Sequence, residues 1–206
     1  MNSRLILYEH IVESLALHGY SVVDQFLSAE EVKSLLQLEE FKTGISQFKK
    51  AGVGKEEKRI NENIRGDYIQ WINRDTASPA LKIYFDRLCE LIVYINQTLF
   101  LSLKDFEIHL TVYPAGSHYL RHLDQFKRDD HRKLSVIFYL NEGWKETQGG
   151  QLRMYLPEGP ADILPKAGRF VCFRSDQIEH EVLPATRERL SLTGWILDQL
   201  ADLRHL

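Results

Sequence analysis

The sequence predicts a mainly β fold with supporting helices, closed as a β-sandwich or jelly roll. Three observations carry that prediction. Apolar residues in the first hundred positions recur largely with helical spacing, whereas from Phe106 onward the chain becomes short runs divided by turns. Helices followed by many short antiparallel strands place the helices against one face of a β structure. The length of 206 residues suits one well-buried domain, and 44% hydrophobic with 27% charged residues is an ordinary globular balance.

Taken in order, Leu5, Tyr8, Ile11, Val12, Leu15 and Ala16 mark a helix over 4–18, and Gly19 stands where it can cap that helix. Residues 20–27 read as a strand. Ser28, with Glu31 three residues on, forms a capping box for a helix that carries Val32, Leu35, Leu36 and Leu38 and runs towards Phe41. Residues 42–63 interleave Lys42, Lys49, Lys50, Lys55, Lys58 and Arg59 with Gly44, Gly52 and Gly54. That stretch reads either as a solvated loop or as a lid that orders over a bound protein segment. Arg65 to Trp71 is a turn into a strand, with Tyr68 and Trp71 on opposite faces, so only one is expected in the core. The longest helix covers 78–101, where Leu81, Tyr84, Phe85, Leu88, Leu91, Ile92 and Ile95 form a stripe that braces a sheet. Strands are then expected at 106–113, 118–124, 133–141, 150–155, 162–164, 169–174, 179–183 and 188–197.

Composition narrows the function. A formal charge of −3 gives no electrostatic case for nucleic acid or an anionic membrane as the main partner. Cys89 and Cys172 sit in apolar runs and form no disulfide framework, as in a reducing cytoplasm. The N-terminus lacks the apolar core and cleavage site of a secretory signal, and no apolar stretch approaches the roughly 18 residues a spanning helix needs. A soluble, cytoplasmic protein is expected.

The chemistry centres on Tyr119-Leu-Arg-His-Leu-Asp-Gln125. On an extended chain His122 and Asp124 share one face, so an imidazole nitrogen and a carboxylate oxygen converge, a pairing suited to a borderline divalent metal. The spacing is weak evidence by itself, since a histidine here can simply be hydrogen-bonded to backbone. A second histidine, His180, lies in Gln177-Ile-Glu-His-Glu-Val182, and Arg189 opens the alternating run Arg189-Leu-Ser-Leu-Thr-Gly-Trp195. Arg189, Ser191, Thr193 and Trp195 share a face, and an arginine there can grip a carboxylate bidentately. The competing reading makes Arg189 a surface partner of Glu181 or Glu188.

Further pieces stand in one order around these: Ile64-Arg-Gly-Asp-Tyr-Ile-Gln-Trp71, Val112-Tyr-Pro114, Phe138-Tyr-Leu-Asn-Glu-Gly-Trp144, Gly149-Gly-Gln-Leu152, Tyr155-Leu-Pro-Glu-Gly159 and Phe170-Val-Cys-Phe173. From about Arg65 to Asp198 the chain resembles the prolyl-hydroxylase branch of the 2-oxoglutarate and Fe(II)-dependent oxygenases. It is similar to the oxygen-sensing prolyl hydroxylases of animals and their bacterial relatives. The resemblance implies a double-stranded β-helix (jelly roll) with the N-terminal helices packed on one sheet. It implies one domain over 1–206, with 1–101 as helical support, strand and lid region and 102–206 as the catalytic core.

The same resemblance implies His122, Asp124 and His180 as ligands of Fe(II), with Asp124 favouring hydroxylation over halogenation. Arg189 then binds the distal carboxylate of 2-oxoglutarate, helped by Tyr139, Tyr113 and Thr193. Arg65, Asp67, Trp71, Arg132 and Trp195 are placed at the substrate entrance. Trp71 is equally readable as a core residue, and Arg132 as one charge of a solvated cluster with Lys127, Arg128 and Lys133. His118 and His131 read as loop histidines, and Gly149-Gly150 as a tight connection. The implied reaction consumes 2-oxoglutarate and O2, with ascorbate supportive, and releases succinate and CO2. The implied substrate is a proline in a protein loop, hydroxylated at the 4-position; a translation factor is one candidate target. The loop Ala115 to His118 is one residue shorter than in the animal enzymes, and the chain ends at Leu206 without the C-terminal extension of some of them, so recognition of their own targets is not expected. Two alternatives remain open: the same chemistry on a small molecule or another side chain, and a non-catalytic iron or oxo-acid sensor.

Overall fold

The computed structural model describes residues 3–52, 61, 63–125 and 130–201. Helix α1 (Ser3–His18) ends at Gly19, whose positive φ of 77° and hydrogen bond from its N–H to the Leu15 carbonyl make the expected cap. Strand β1 (Tyr20–Val23) is shorter than the predicted 20–27. The chain turns out of the sheet at Gln25 (φ 60°), yet Phe26 stays buried, stacked on Phe170 at 4.1 Å. Its apolar residues pack without being in the strand.

Helix α2 (Ala29–Leu36) carries the capping box: the Glu31 N–H donates to Ser28 Oγ, and the Ser28 N–H to Glu31 Oε2. It stops before Phe41, breaking at Gln37; a separate turn of helix, α3 (Glu39–Lys42), follows. The described part of the 42–63 stretch holds more structure than a solvated loop. A 3-10 turn over Gly44–Gln47 leads into β2 (Lys49–Lys50), Phe48 is buried against Phe41, and Ala51 is buried. The rest of the expected lid, 53–60 and 62, lies outside the described residues, as do Lys127 and Arg128.

After β3 (Tyr68–Trp71), helix α4 (Pro79–Leu99) is capped by Ser78 Oγ, which accepts from the Leu81 N–H, and all seven predicted apolar positions are buried. The strands that follow are β4 (Asp105–Tyr113), β5 (Tyr119–His122), β6 (Arg132–Tyr139), β7 (Leu152–Leu156), β8 (Gly159–Ile163), β9 (Phe170–Arg174), β10 (His180–Val182) and β11 (Arg189–Leu197). They form two antiparallel sheets, ordered β1-β9-β6-β11-β4-β3-β2 and β5-β10-β7-β8. This is the jelly roll with helices on one sheet. No helix among the described residues is long and apolar enough to cross a membrane.

Alternation divides the large sheet into two chemistries. Phe106, Ile108, Leu110 and Val112 of β4, Leu134, Val136 and Phe138 of β6, and Leu192 and Ile196 of β11 join the helices in the main core. The opposite faces of these strands look between the sheets, where Tyr113, Ile137 and Tyr139 meet Leu152, Met154, Phe173, Ile178 and Val182. Two glycines permit close approaches. Gly149 has φ 70°, and a Cβ there would lie 2.4 Å from the Pro184 carbonyl oxygen; at Gly194 on β11 a Cβ would lie 1.9 Å from the Glu107 carbonyl oxygen of β4.

Leu88 of α4 is fully buried in the main core. Leu88→Ala is expected to lower stability by about 2–5 kcal/mol, read as a reduced urea midpoint with the denaturant slope unchanged.

Candidate active site

His122 ends β5, His180 opens β10, and the two are paired directly across the small sheet. A bulge lies beside them, where two steps of β10 match three of β5. Asp124 is past the end of β5, in a bend, so the expected strand to 124 stops two residues early. The side chains still converge. Nε2 of His122 is 3.5 Å from Asp124 Oδ1, Nε2 of His180 is 3.6 Å from Asp124 Oδ2, and one ligand atom from each residue falls within 4.8 Å of the others.

Backbone contacts set both imidazoles. Nδ1 of His122 lies 2.7 Å from the Leu120 carbonyl, and Nδ1 of His180 lies 3.1 Å from the Ile178 carbonyl. A carbonyl can only accept, so each Nδ1 carries the proton and each Nε2 lone pair is left for a metal. Burial lowers the His180 pKa to about 4, with His122 adding to the effect and Asp124 opposing it, so its Nε2 is free above that pH and protonated as pH falls through it. Burial pushes the Asp124 carboxyl up, but His180, His122 and a hydrogen bond from Ser135 Oγ at 2.6 Å outweigh it and hold the carboxyl well below the usual range. Two imidazoles that direct Nε2 towards one carboxylate form a donor set that fits Fe(II).

Arg189 begins β11 opposite Tyr113 of β4 and is only 2% exposed. Its guanidinium lies 5.0 Å from the Tyr113 ring centre and 4.8 Å from that of Tyr139, and Nη2 donates to the Tyr139 hydroxyl at 3.1 Å. Among the described residues no carboxylate pairs with it, and its buried Nε has no partner. The surface-pair reading is thereby excluded: Glu181 instead accepts from the Tyr155 hydroxyl at 2.7 Å. Burying an unpaired cation costs several kcal/mol, so a cosubstrate carboxylate fits here. Burial raises the Tyr113 and Tyr139 pKa values, leaving both as phenols able to donate. Tyr139 faces away from Phe138 and Leu140, as alternation requires. Thr193, on the face of Arg189, shares a 3.0 Å hydrogen bond with Ser191.

The residues expected at the entrance divide into two groups. Arg65 forks onto the buried Asp67 at 2.8 and 2.6 Å and lies 4.3 Å from the ring centre of Tyr119, which itself stacks on His122 at 3.6 Å. Trp71, Trp195 and Arg132 form the second group. Trp71 is turned away from the main core, and its ring centre lies 6.2 Å from that of Trp195. Arg132 covers Trp195 at 3.4 Å and pairs with Glu107 at 2.7 Å, so it is an ordered wall and not a solvated charge. His118 meets the Asn63 carbonyl and His131 pairs with Asp198, and neither joins the three candidate ligands.

Sequence reasoning passed over Ser135, Tyr119, Glu107 and His109. Alternation along 133–141 sets Ser135 on the face of Tyr139, and the same rule on 106–113 sets Glu107 and His109 with Tyr113. Those phases were the available signal.

Residues 108–197 match the model of the 2OG-Fe(II) oxygenase superfamily. Egl nine homolog 1 of Homo sapiens is 33% identical over 92% of this chain and 46% of its own length, so the chain spans under half of that relative. A prolyl-4-hydroxylase of Pseudomonas putida superposes with a TM-score of 0.86 at 45% identity, covering 93% of this chain and 99% of that one. A Trichoplax adhaerens prolyl hydroxylase, solved with a hypoxia-inducible-factor oxygen degradation domain peptide, gives 0.85 at 29% identity, covering 95% and 90%. The chain therefore belongs to the 2OG-Fe(II) oxygenase superfamily. Within it, the chain is most plainly similar to prolyl hydroxylases.

Because Ser135 orients Asp124, Ser135→Ala is expected to weaken divalent metal binding by roughly 10-fold, whereas His180→Ala abolishes it. Mn(II) titration followed by calorimetry measures both.

Proposed function

We propose that this protein is a 2-oxoglutarate- and Fe(II)-dependent dioxygenase that hydroxylates a prolyl residue, at the 4-position, in a loop of another protein. The observation that carries the reading is the buried Arg189 guanidinium, without a carboxylate of its own among the described residues, on the inner face of the large sheet beside Tyr113 and Tyr139, while His180 of the facing small sheet packs on Phe173 of that same intersheet layer. His122, Asp124 and His180 would hold the iron, which when bound supplies the activation of dioxygen and couples conversion of 2-oxoglutarate to succinate and CO2 with hydroxylation. Arg189 and the Tyr139 hydroxyl bind the distal carboxylate and so set where the 2-oxo end lies. Tyr113 and Thr193 supply further hydrogen bonds on that inner face. Ile137, Phe173 and Val182 keep water from the enclosed end.

Arg65, Asp67, Trp71, Arg132 and Trp195 receive the substrate loop. Support for a protein substrate is the likeness to the Trichoplax prolyl hydroxylase, whose structure holds a peptide. The same reading takes ascorbate as a supporting reductant and the cytoplasm as the place of action, in keeping with the unpaired thiols of Cys89 and Cys172.

Incubating lysate proteins with the enzyme, Fe(II), ascorbate and 2-oxoglutarate tests this. A proline that gains one oxygen atom with wild type but not with Asp124→Ala supports the reading and names the target, a translation factor being one candidate. Succinate without a modified proline shifts the reading to a small molecule or another side chain; neither product leaves a sensor. Arg189→Ala is expected to raise the KM for 2-oxoglutarate roughly 10- to 100-fold, the loss of about 1.5–3 kcal/mol from a charge-assisted pair. Arg189→Lys should recover only part of it. Succinate formation against 2-oxoglutarate concentration measures both.

A further inference from the structure

His109 has no place in the chemistry above, although it is a titratable side chain only 2% exposed on the inner face of β4. It sits opposite Trp71 of β3 and opposite Thr193 of β11. Its ring meets Trp71 edge-on, with centres 4.9 Å apart and planes at 81°, and lies 5.8 Å from Trp195. With the two indoles 6.2 Å apart, the three rings form a closed triangle. Nδ1 shares a 2.9 Å hydrogen bond with Thr111 Oγ1, which fixes the imidazole plane. The triangle adjoins the entrance, since Arg132 covers Trp195 and binds Glu107, two residues before His109.

We infer that His109 is a specificity-determining positioning residue, a prop whose ring edge holds Trp71 and Trp195 in place as an aromatic wall for an uncharged five-membered ring of the substrate. The assignment rests on the prolyl reading given above. Close packing means that a missing imidazole would let one indole fall towards the other and reshape the wall. Edge-to-face aromatic contacts have preferred geometry, so the His109 edge selects one orientation of Trp71. The imidazole faces Arg65, Asp67 and Arg132, and burial, reinforced by the two arginines, lowers its pKa to about 3. It therefore stays neutral at working pH, and the wall gains no charge of its own. A saturated, uncharged ring such as a prolyl side chain suits that surface; a cationic side chain would meet Arg132 already seated on Trp195.

The test compares wild type, His109→Ala, His109→Phe and Thr111→Val as iron-loaded enzymes on a proline-containing peptide taken from the identified target. The KM for peptide and the KM for 2-oxoglutarate are both measured, with thermal unfolding as a check on folding. His109→Ala should raise the peptide KM about tenfold, and by several times more than any rise in the 2-oxoglutarate KM. His109→Phe, which keeps a ring edge, should recover most of that loss, and Thr111→Val should show a smaller rise in peptide KM. An unchanged peptide KM in His109→Ala, or an equal rise in both KM values, overturns the prop. A His109→Phe enzyme as poor as His109→Ala overturns it too. If wild type forms succinate in the lysate but modifies no proline there, no such peptide is obtained, and the prolyl reading itself falls and takes the prop with it. That failure shows in the wild-type arm, whereas failure of the prop alone shows only in the variants.

Discussion

Three central strands, β4, β6 and β11, are buried on both faces, and the two-residue alternation of their side chains decides what each face contains. One face is wholly apolar and packs on the helices; the other carries Tyr113, Ser135, Tyr139, Arg189 and Thr193. The pairing register is consequently under strong constraint. A slip of one residue would turn Arg189 into the helical core and Leu190 into the site. The cost of burying the Arg189 charge and the hydroxyls of Ser191 and Thr193 against the aromatic and aliphatic residues of the main core opposes that slip. Helix α4 contributes at a distance: by covering the apolar face it leaves the opposite face free to specialise.

A polar interior of this kind must satisfy its charges, and nearly all of them are satisfied internally. Asp67 has the Arg65 fork, Glu107 has Arg132, and Asp124 has Ser135, itself bonded to Ser175. Against that background the exceptions stand out. Two imidazoles direct their Nε2 atoms at one carboxylate, and one guanidinium has a buried, unpartnered nitrogen. These are the points where the protein interior is electrostatically unfinished, and they are where a metal ion and a small dianion fit. The bulge beside His180 belongs to the same pattern, because it ends regular pairing where the ligands must converge.

Most of the fold was legible in the sequence, since helical stripes and alternating strands write burial directly into residue order. Helix α4 and the strands from β4 to β11 fell within a few residues of their expected places. Boundaries were missed where packing and hydrogen bonding part company. Phe26 and Leu27 are as buried as strand residues, but Gln25 has already turned the backbone away from the ladder. Leu38 is buried like a helical residue although α2 ended at Leu36. In the site, His122, Asp124, His180 and Arg189 could be found because their spacing and order are distinctive. Ser135 and Tyr119 could not be ranked beforehand. A serine 11 residues after an aspartate acquires meaning only when β6 brings it beside that aspartate, and a tyrosine three residues before a histidine stacks on it only because the strand is bulged.

Gly194 shows how far the site extends into its scaffold. On β11 it stands between Thr193 and Trp195, five residues from Arg189, and it faces the Glu107 backbone across the seam with β4. No side chain is present there to touch any ligand. Even so, one added methyl group would force β4 and β11 apart, displacing the cosubstrate arginine and the entrance tryptophan together. In a library of random variants scored by activity alone, position 194 would be indistinguishable from a ligand-binding residue. Only a measurement of fold integrity separates the two, so a map of inactivating changes in this chain traces the tightest strand seam as well as the chemistry.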